Sequence, residues 1–172
     1  NNYVFLKFNF SHNGTTVNHP CEFNDLDAFS KNNFCKELDD LNLVLNWIFE
    51  CDVFKKEVDF KKIILFGHSR GGAISILKSA EDNRLSKIIS WSAPSNLLSR
   101  LPVKEKVEVW KKTNVAYVYN GRTKQNMPIN FQFYLNCINN SNRINLELAI
   151  KEIKIPILIV HGDNDPTVLV DQ

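Results

Sequence analysis

No stretch of the 172 residues approaches ~18 consecutive apolar positions, so no membrane-spanning helix is expected. The start, Asn1-Asn2-Tyr3-Val4-Phe5-Leu6-Lys7-Phe8, lacks the basic head, long apolar run and small-residue cleavage site of a secretory signal. It also lacks an initiator methionine and reads as an excerpt of a longer chain. Cys21, Cys35, Cys51 and Cys137 form no C-x-x-C pair and no metal-ligand spacing, which excludes a zinc or redox motif. Buried free thiols in a reducing, cytoplasmic setting are the expectation. A formal net charge of +2 argues against nucleic acid as a partner. Internal repeats and low-complexity segments are absent, although asparagine is frequent.

What is present fits a globular domain: 44% apolar and 23% charged residues in a chain long enough for one core. Charge is unevenly spread. Between Ser95 and Asn145 eight Lys or Arg face only Glu105 and Glu108.

Tyr3 to Phe10 alternates and predicts a strand ending at Ser11-His12-Asn13-Gly14. Residues 15–33 are polar and irregular and predict a loop. Phe34, Leu38, Leu41, Leu45, Ile48 and Phe49 recur at helical spacing. Ile63 to Phe66 is uniformly apolar and predicts a strand buried on both faces of a parallel sheet. A helix over Gly72–Ala80 and strands over Lys87–Trp91 and Ile155–Val160 follow. Alternating strands and helices predict an α/β fold with a mostly parallel sheet flanked by helices. Helices are expected near Val103–Lys112, Pro128–Ile138 and Leu146–Ile153, with Asn114–Gln125 between them unassigned.

The most specific signal is Lys62-Ile63-Ile64-Leu65-Phe66-Gly67-His68-Ser69-Arg70-Gly71-Gly72-Ala73. A β-branched strand runs into Gly-x-Ser-x-Gly and then into a helix, the pattern of a nucleophile elbow. Such a turn presents the serine on a strained backbone at a helix N-terminus, where developing negative charge is favoured. A Cβ at Gly67 or Gly71 is expected to collide where strand and helix cross. Phosphate cradling is excluded, because neither Gly-Lys-Ser/Thr nor Gly-x-Gly-x-x-Gly occurs.

Here the sequence resembles the α/β-hydrolase superfamily. The resemblance implies a serine nucleophile at Ser69, an oxyanion donor in the main-chain N–H of Arg70, and an acid after a later strand. Ile157-Leu158-Ile159-Val160-His161-Gly162-Asp163-Asn164-Asp165 looks like the acid loop, with Asp165 the matching position and Asp163 the alternative. It also implies a partial hydrolase core over 1–94 and 153–172 and a helical cap insertion over 95–152. No metal or organic cofactor is implied. His12, His19, His68 and His161 all precede Asp165, whereas the family base lies ~25 residues beyond the acid. The base is therefore expected outside this sequence, as is the second oxyanion donor, before Asn1. A domain truncated at both ends should be inactive and poorly stable by itself.

The function implied is a serine hydrolase cleaving esters, thioesters or amides of a small acyl substrate. Two alternatives stay open: a non-catalytic binding protein on the same scaffold, and a hydrolase or lyase of C–C bonds. Trp91, Trp110, Tyr117, Tyr119, Phe131, Phe133 and Tyr134 fit either an acyl pocket or core packing. Lys111, Lys112, Arg122 and Lys124 fit either steering of an anionic substrate or a solvated basic face. If they steer, Arg122→Ala raises KM for charged esters and spares neutral ones; an equal effect of the substitution on both would show a solvated face.

Overall fold

The computed structural model describes residues 3–170. In chain order it contains α1 (Leu26–Ser30), α2 (Phe34–Glu50), α3 (Asp52–Lys55), a 3-10 turn (Phe60–Lys62), β1 (Ile64–His68), α4 (Arg70–Glu81) and β2 (Lys87–Trp91). There follow α5 (Lys104–Thr113), β3 (Val115–Asn120), β4 (Gln125–Asn130), α6 (Gln132–Asn139), α7 (Leu146–Glu152) and β5 (Ile157–Val160). The expected α/β class with a parallel sheet is what is observed. The chain divides into two compact units. One is Leu41–Ser99 with Ser141–Gln172, the other Asn1–Asp40 with Arg100–Asn140. Residues 95–152, expected as one helical cap, are thus shared between the two units.

In the first of these units β1, β2 and β5 form a parallel sheet in the order β1-β2-β5. Helix α4 packs across β1 and β2, and α7 packs on α4. The pleat sends Ile88 and Ser90 of β2 into this layer, where both are buried. They meet Ala73, Ile74 and Leu77 of α4, all at 1% exposure or less, within a core closed by Leu41, Leu45, Ile144 and Leu146. Burying one such aliphatic side chain stabilises by about 1.5–3 kcal/mol.

The opposite face corrects the expectation of a strand buried on both sides. Ile64, Phe66, Trp91, Leu158 and Val160 are exposed there, because among the described residues α4 and α7 cover one face only. The Phe66 and His68 rings both lie against Trp91, at 6.4 and 5.1 Å between centroids.

A buried ionic cluster fastens α4 to α2 in this unit. Arg84 grips Asp82 through Nε–Oδ1 (2.8 Å) and Nη2–Oδ2 (2.6 Å), and Arg84 Nη1 donates to Asn46 Oδ1 (2.8 Å). Lys78 Nζ donates to Asn42 Oδ1 (3.1 Å) and lies 3.7 Å from Asp82 Oδ2. Lys78 and Asp82 are 4% and 8% exposed. A charge so placed must be paired, since an isolated one is expensive to desolvate.

The second unit carries an antiparallel pair, β3 with β4, against which α1, α5 and α6 pack. The unassigned segment 114–125 and the first three residues of the helix expected over Pro128–Ile138 are therefore part of a hairpin, and the rest of that stretch forms α6 from Gln132 onward. Asn114 ends α5 in the left-handed region (φ 58°) and turns the chain into β3. Trp110 is the hub of the core: its Nε1 donates to Ile129 O (2.8 Å), and Phe131, Phe133 and Tyr134 surround its ring. Those aromatics serve packing, whereas Tyr117 and Tyr119 are exposed.

Side-chain amides also tie this unit together. Gln125 Nε2 donates to Phe23 O (3.2 Å), Asn130 Nδ2 to Ser30 Oγ (3.0 Å), Asn33 Nδ2 to Gln132 Oε1 (2.8 Å) and Gln132 Nε2 to Asn32 O (2.8 Å). Three further expectations are corrected. Tyr3–Phe10 pairs with no strand among the described residues, and the 15–33 loop contains α1, capped by Asp25 Oδ1 on the Ala28 N–H (2.9 Å). Cys35 and Cys137 are buried free thiols, but Cys21 is exposed.

The Asp82 carboxyl is held below its ordinary range, first by the hydrogen bonds from the Arg84 side chain. A depressed carboxylate stabilises the fold above its unfolded pKa of about 3.9, and that stability drains away as pH falls through the lower folded value. Asp82→Asn should therefore lower stability at pH 7 by about 3 kcal/mol, since it strands Lys78 and Arg84. It should also flatten the dependence of the thermal midpoint on pH below about 4, as read by calorimetry across pH 3–7.

Candidate active site

Parallel pairing puts the carboxyl ends of β1, β2 and β5 on one sheet edge, the edge where α/β sheets hold their ligands. Ser69 follows β1 directly, Ser92 follows β2 directly, and the 161–168 loop follows β5. The ladder runs one step past the strands. Ser69 N–H donates to Trp91 O (2.7 Å), and Ser92 N–H to Val160 O (2.8 Å).

Ser69 has φ 53° and ψ −123°, a backbone conformation that costs a non-glycine residue about 1–3 kcal/mol. It occupies the N-cap position of α4, where a serine ordinarily bonds the N–H of the second or third helical residue. Its hydroxyl makes no such bond. Its carbonyl instead accepts from Gly72 N–H (2.9 Å) and Ala73 N–H (3.3 Å). The turn thus fixes the main chain and leaves the half-buried Oγ uncommitted to capping. Arg70 is the first residue of α4, so its N–H belongs to the first-turn donors that helix geometry points outward.

The glycines divide in an unexpected way. A Cβ on Gly67 would overlap the Gly71 carbonyl and Ser75 Oγ, as predicted. A Cβ on Gly71 would meet nothing within 4 Å, which corrects the expectation for that residue. Gly71 contributes its carbonyl to the crossing, where Ser75 Oγ donates to it (2.8 Å), while its own Cα faces away. The second close approach belongs to Gly72, where a Cβ would lie 2.8 Å from Ser90 Oγ and 2.9 Å from Ala93 Cβ. A third consecutive small residue, Ala73, was the available signal for this contact.

Asp165 lies in a tight loop, its N–H bonded to Gly162 O (3.1 Å). Its Oδ1 accepts from Thr167 N–H (2.8 Å) and Val168 N–H (3.1 Å). Its carboxyl is held below the ordinary range, first by the Val168 N–H, then by the Thr167 N–H, with desolvation opposing. Smaller contributions come from the nearby Ser92 side chain and from the His161 ring. The loop is pinned at both ends: Val168 is 2% exposed, and His161 Nε2 donates to Val168 O (2.8 Å). Asp163, the alternative acid, is exposed and accepts only from Asn164 Nδ2 (3.3 Å) among these bonds. Ser92 was not legible in the sequence. It is buried, with φ 47°, and belongs to no motif.

The four histidines are otherwise placed. His161 holds the acid loop, and His68 lies exposed against Trp91. In the other unit, His12 Nδ1 donates to Ser11 Oγ (2.6 Å), which donates to Asp40 Oδ1 (3.0 Å), and His19 Nδ1 sits 3.3 Å from Glu22 Oε2. Among the described residues no group of three or more His, Cys, Asp or Glu could hold a metal, and no helix is long and apolar enough to cross a membrane. Arg122 lies with its guanidinium 5.7 Å from the Phe23 ring centroid.

A strained serine at a strand-to-helix turn, on one sheet edge with an ionised acid loop, places the chain among the α/β-hydrolases. Solved structures of that class share its fold. The esterase domain of a Rhodothermus marinus protein matches at TM-score 0.50 and 18% identity, over 83% of this chain and 53% of its own. The acylaminoacyl peptidase of Pyrococcus horikoshii matches at TM-score 0.54 and 15% identity, over 87% of this chain and 22% of its own. This chain therefore spans about half of the first and under a quarter of the second. No curated protein matches. The BD-FAE family matches residues 25–172, and the chain belongs to that family.

The glycine contacts order three substitutions. Gly67→Ala should destabilise by at least about 3 kcal/mol, because backbone rather than a flexible side chain must yield. Gly72→Ala should cost less, about 1–3 kcal/mol. Gly71→Ala should be neutral or stabilising by up to about 1 kcal/mol, since it replaces a helical glycine in open space. Urea titration of the three variants checks the order.

Proposed function

We propose that the protein is a serine hydrolase that cleaves ester, thioester or amide bonds through an acyl-enzyme on Ser69. The observation that carries this is Ser69 itself, a strained residue at a helix N-terminus whose hydroxyl does no capping. The esterase and peptidase named among the solved structures support the same reaction class.

Ser69 Oγ attacks the carbonyl carbon as the base removes its proton. The carbonyl oxygen becomes an oxyanion facing the Arg70 N–H, a donor of a kind worth about 3 kcal/mol in the transition state. Collapse expels the alcohol, thiol or amine, which takes the proton from the base. Water then repeats the sequence on the acyl-enzyme and restores Ser69. Asp165, kept ionised at neutral pH by its loop, orients the base and stabilises its protonated form. No residue of this sequence is assigned as the base or as the second oxyanion donor. The substrate is a small acyl compound, and the reaction requires no metal or organic cofactor.

Ser69→Ala in the full-length natural protein should lower kcat on p-nitrophenyl acetate by at least about a thousandfold and abolish labelling by a fluorophosphonate. Asp165→Asn should lower kcat comparably while leaving the fold intact by circular dichroism. Retention of phosphonate labelling in Ser69→Ala would place the nucleophile elsewhere. A native protein that neither labels nor turns over would make it a binding protein on a hydrolase scaffold.

A further inference from the structure

We propose that the outer edge of β3 is a docking site for an extended, acidic protein segment, which adds to the β3–β4 pair as a third strand. The edge belongs to the unit that holds neither Ser69 nor Asp165.

The pairing decides which main-chain groups of β3 face outward. Phe131 N–H donates to Asn114 O (2.9 Å), one step beyond the register that sets Val115 opposite Asn130. Opposite residues of an antiparallel pair alternate between exchanging hydrogen bonds and turning their N–H and C=O groups away. Ala116, Val118 and Asn120 therefore bond to β4, whereas Val115, Tyr117 and Tyr119 turn theirs outward. Pro128 stands opposite Tyr117, at a position where the ladder needs no N–H. Thr113 Oγ1 donates to the outward Val115 O (2.9 Å). Among the described residues, no hydrogen bond engages the main-chain groups of Tyr117 or Tyr119.

The two edges of the hairpin differ. Helix α1 packs against β4, and Pro128 leaves that edge one donor short, devices by which sheets avoid unwanted pairing. Strand β3 carries no proline and no charged residue. Its Tyr117, Val118 and Tyr119 are 63%, 54% and 63% exposed, on both faces of the strand. Tyrosines beside unpaired main-chain groups are what a strand-adding partner uses: the backbone supplies affinity and the side chains supply contact.

Charge decides the occupant. Residues 109–142 contain Lys111, Lys112, Arg122 and Lys124 and no Asp or Glu. All four are exposed; the first two precede β3 and the last two lie in the turn after it. Positive charge thus brackets the edge at both ends. A second copy pairing β3 on β3 would bring two such edges together and repel, whereas an acidic segment is attracted and steered. About six extended residues, roughly 20 Å, match the length of β3.

The test is amide hydrogen exchange in the full-length natural protein, with and without a synthetic peptide of about ten residues that alternates glutamate with valine. The control peptide has lysine in place of glutamate. The acidic peptide should slow exchange at the Tyr117 and Tyr119 amides at least about tenfold and leave Ala116 and Val118, already in the ladder, within about twofold. By fluorescence anisotropy it should bind at least about tenfold tighter than the lysine peptide. Tyr119→Pro, which removes one outward N–H, should weaken binding about tenfold or more, and Tyr119→Val, which keeps it, less than about threefold. If Tyr119→Pro lowers the thermal midpoint, exchange in the native protein decides alone. Failure of the acidic peptide to bind, equal binding of both peptides, or binding without protection of Tyr117 and Tyr119 would overturn the proposal. Protection of those amides that rises with protein concentration alone would make a second copy the occupant and overturn the acidic partner.

Discussion

The crossing of α4 over β1 and β2 is the contact on which the rest of the site depends. Two residues without side chains, Gly67 and Gly72, let the helix approach the strands until Gly71 O sits where a Cβ of residue 67 would be. Only at that separation can the chain reverse within one residue, and that residue is Ser69. The strain at Ser69 is opposed by the burial of Ala73, Ile74, Ile76 and Leu77 along the same helix. Packing energy and backbone strain are thus joined in one element, as expected where a fold holds a reactive group in an unfavoured conformation.

Asp165, the proposed acid, is held by a different principle. Asp165 owes its low proton affinity first to main-chain N–H groups whose directions are set by a tight loop, and only in small part to the charge of a neighbour. Donors of that kind move little and are screened little by salt. His161, which the sequence placed near the site, takes part by bonding Val168 O and so bracing the loop that carries the acid.

Legibility in the sequence followed the range of the interactions. The strand-to-helix turn at Ser69, α2, α5 and α7 rest on local spacing and are readable with boundaries off by one or two residues. The β3–β4 hairpin was not, because Pro128 reads as a helix start and its place opposite Tyr117 follows only from pairing. Tyr3–Phe10 alternates like a strand, but alternation specifies a face and not a partner. The role assigned to Gly71 belongs to Gly72 because the motif fixes residue spacing, whereas helix phase decides which Cα faces the sheet. Ser92 carried no signal at all: its conformation is imposed by strands that pair across dozens of residues.

The amide bonds that join residues 23–33 to residues 125–132 carry a different consequence. Each uses a neutral donor and a neutral acceptor, from Asn, Gln, Ser or the main chain. Protons and salt have little purchase on such a seam. The other unit is fastened through Lys78, Asp82 and Arg84, and through Arg143 on Glu81 (2.7 Å). Acid thus reaches the fastening of α4 to α2 through the Asp82 carboxylate, while the seam between residues 23–33 and 125–132 offers it no carboxylate to protonate.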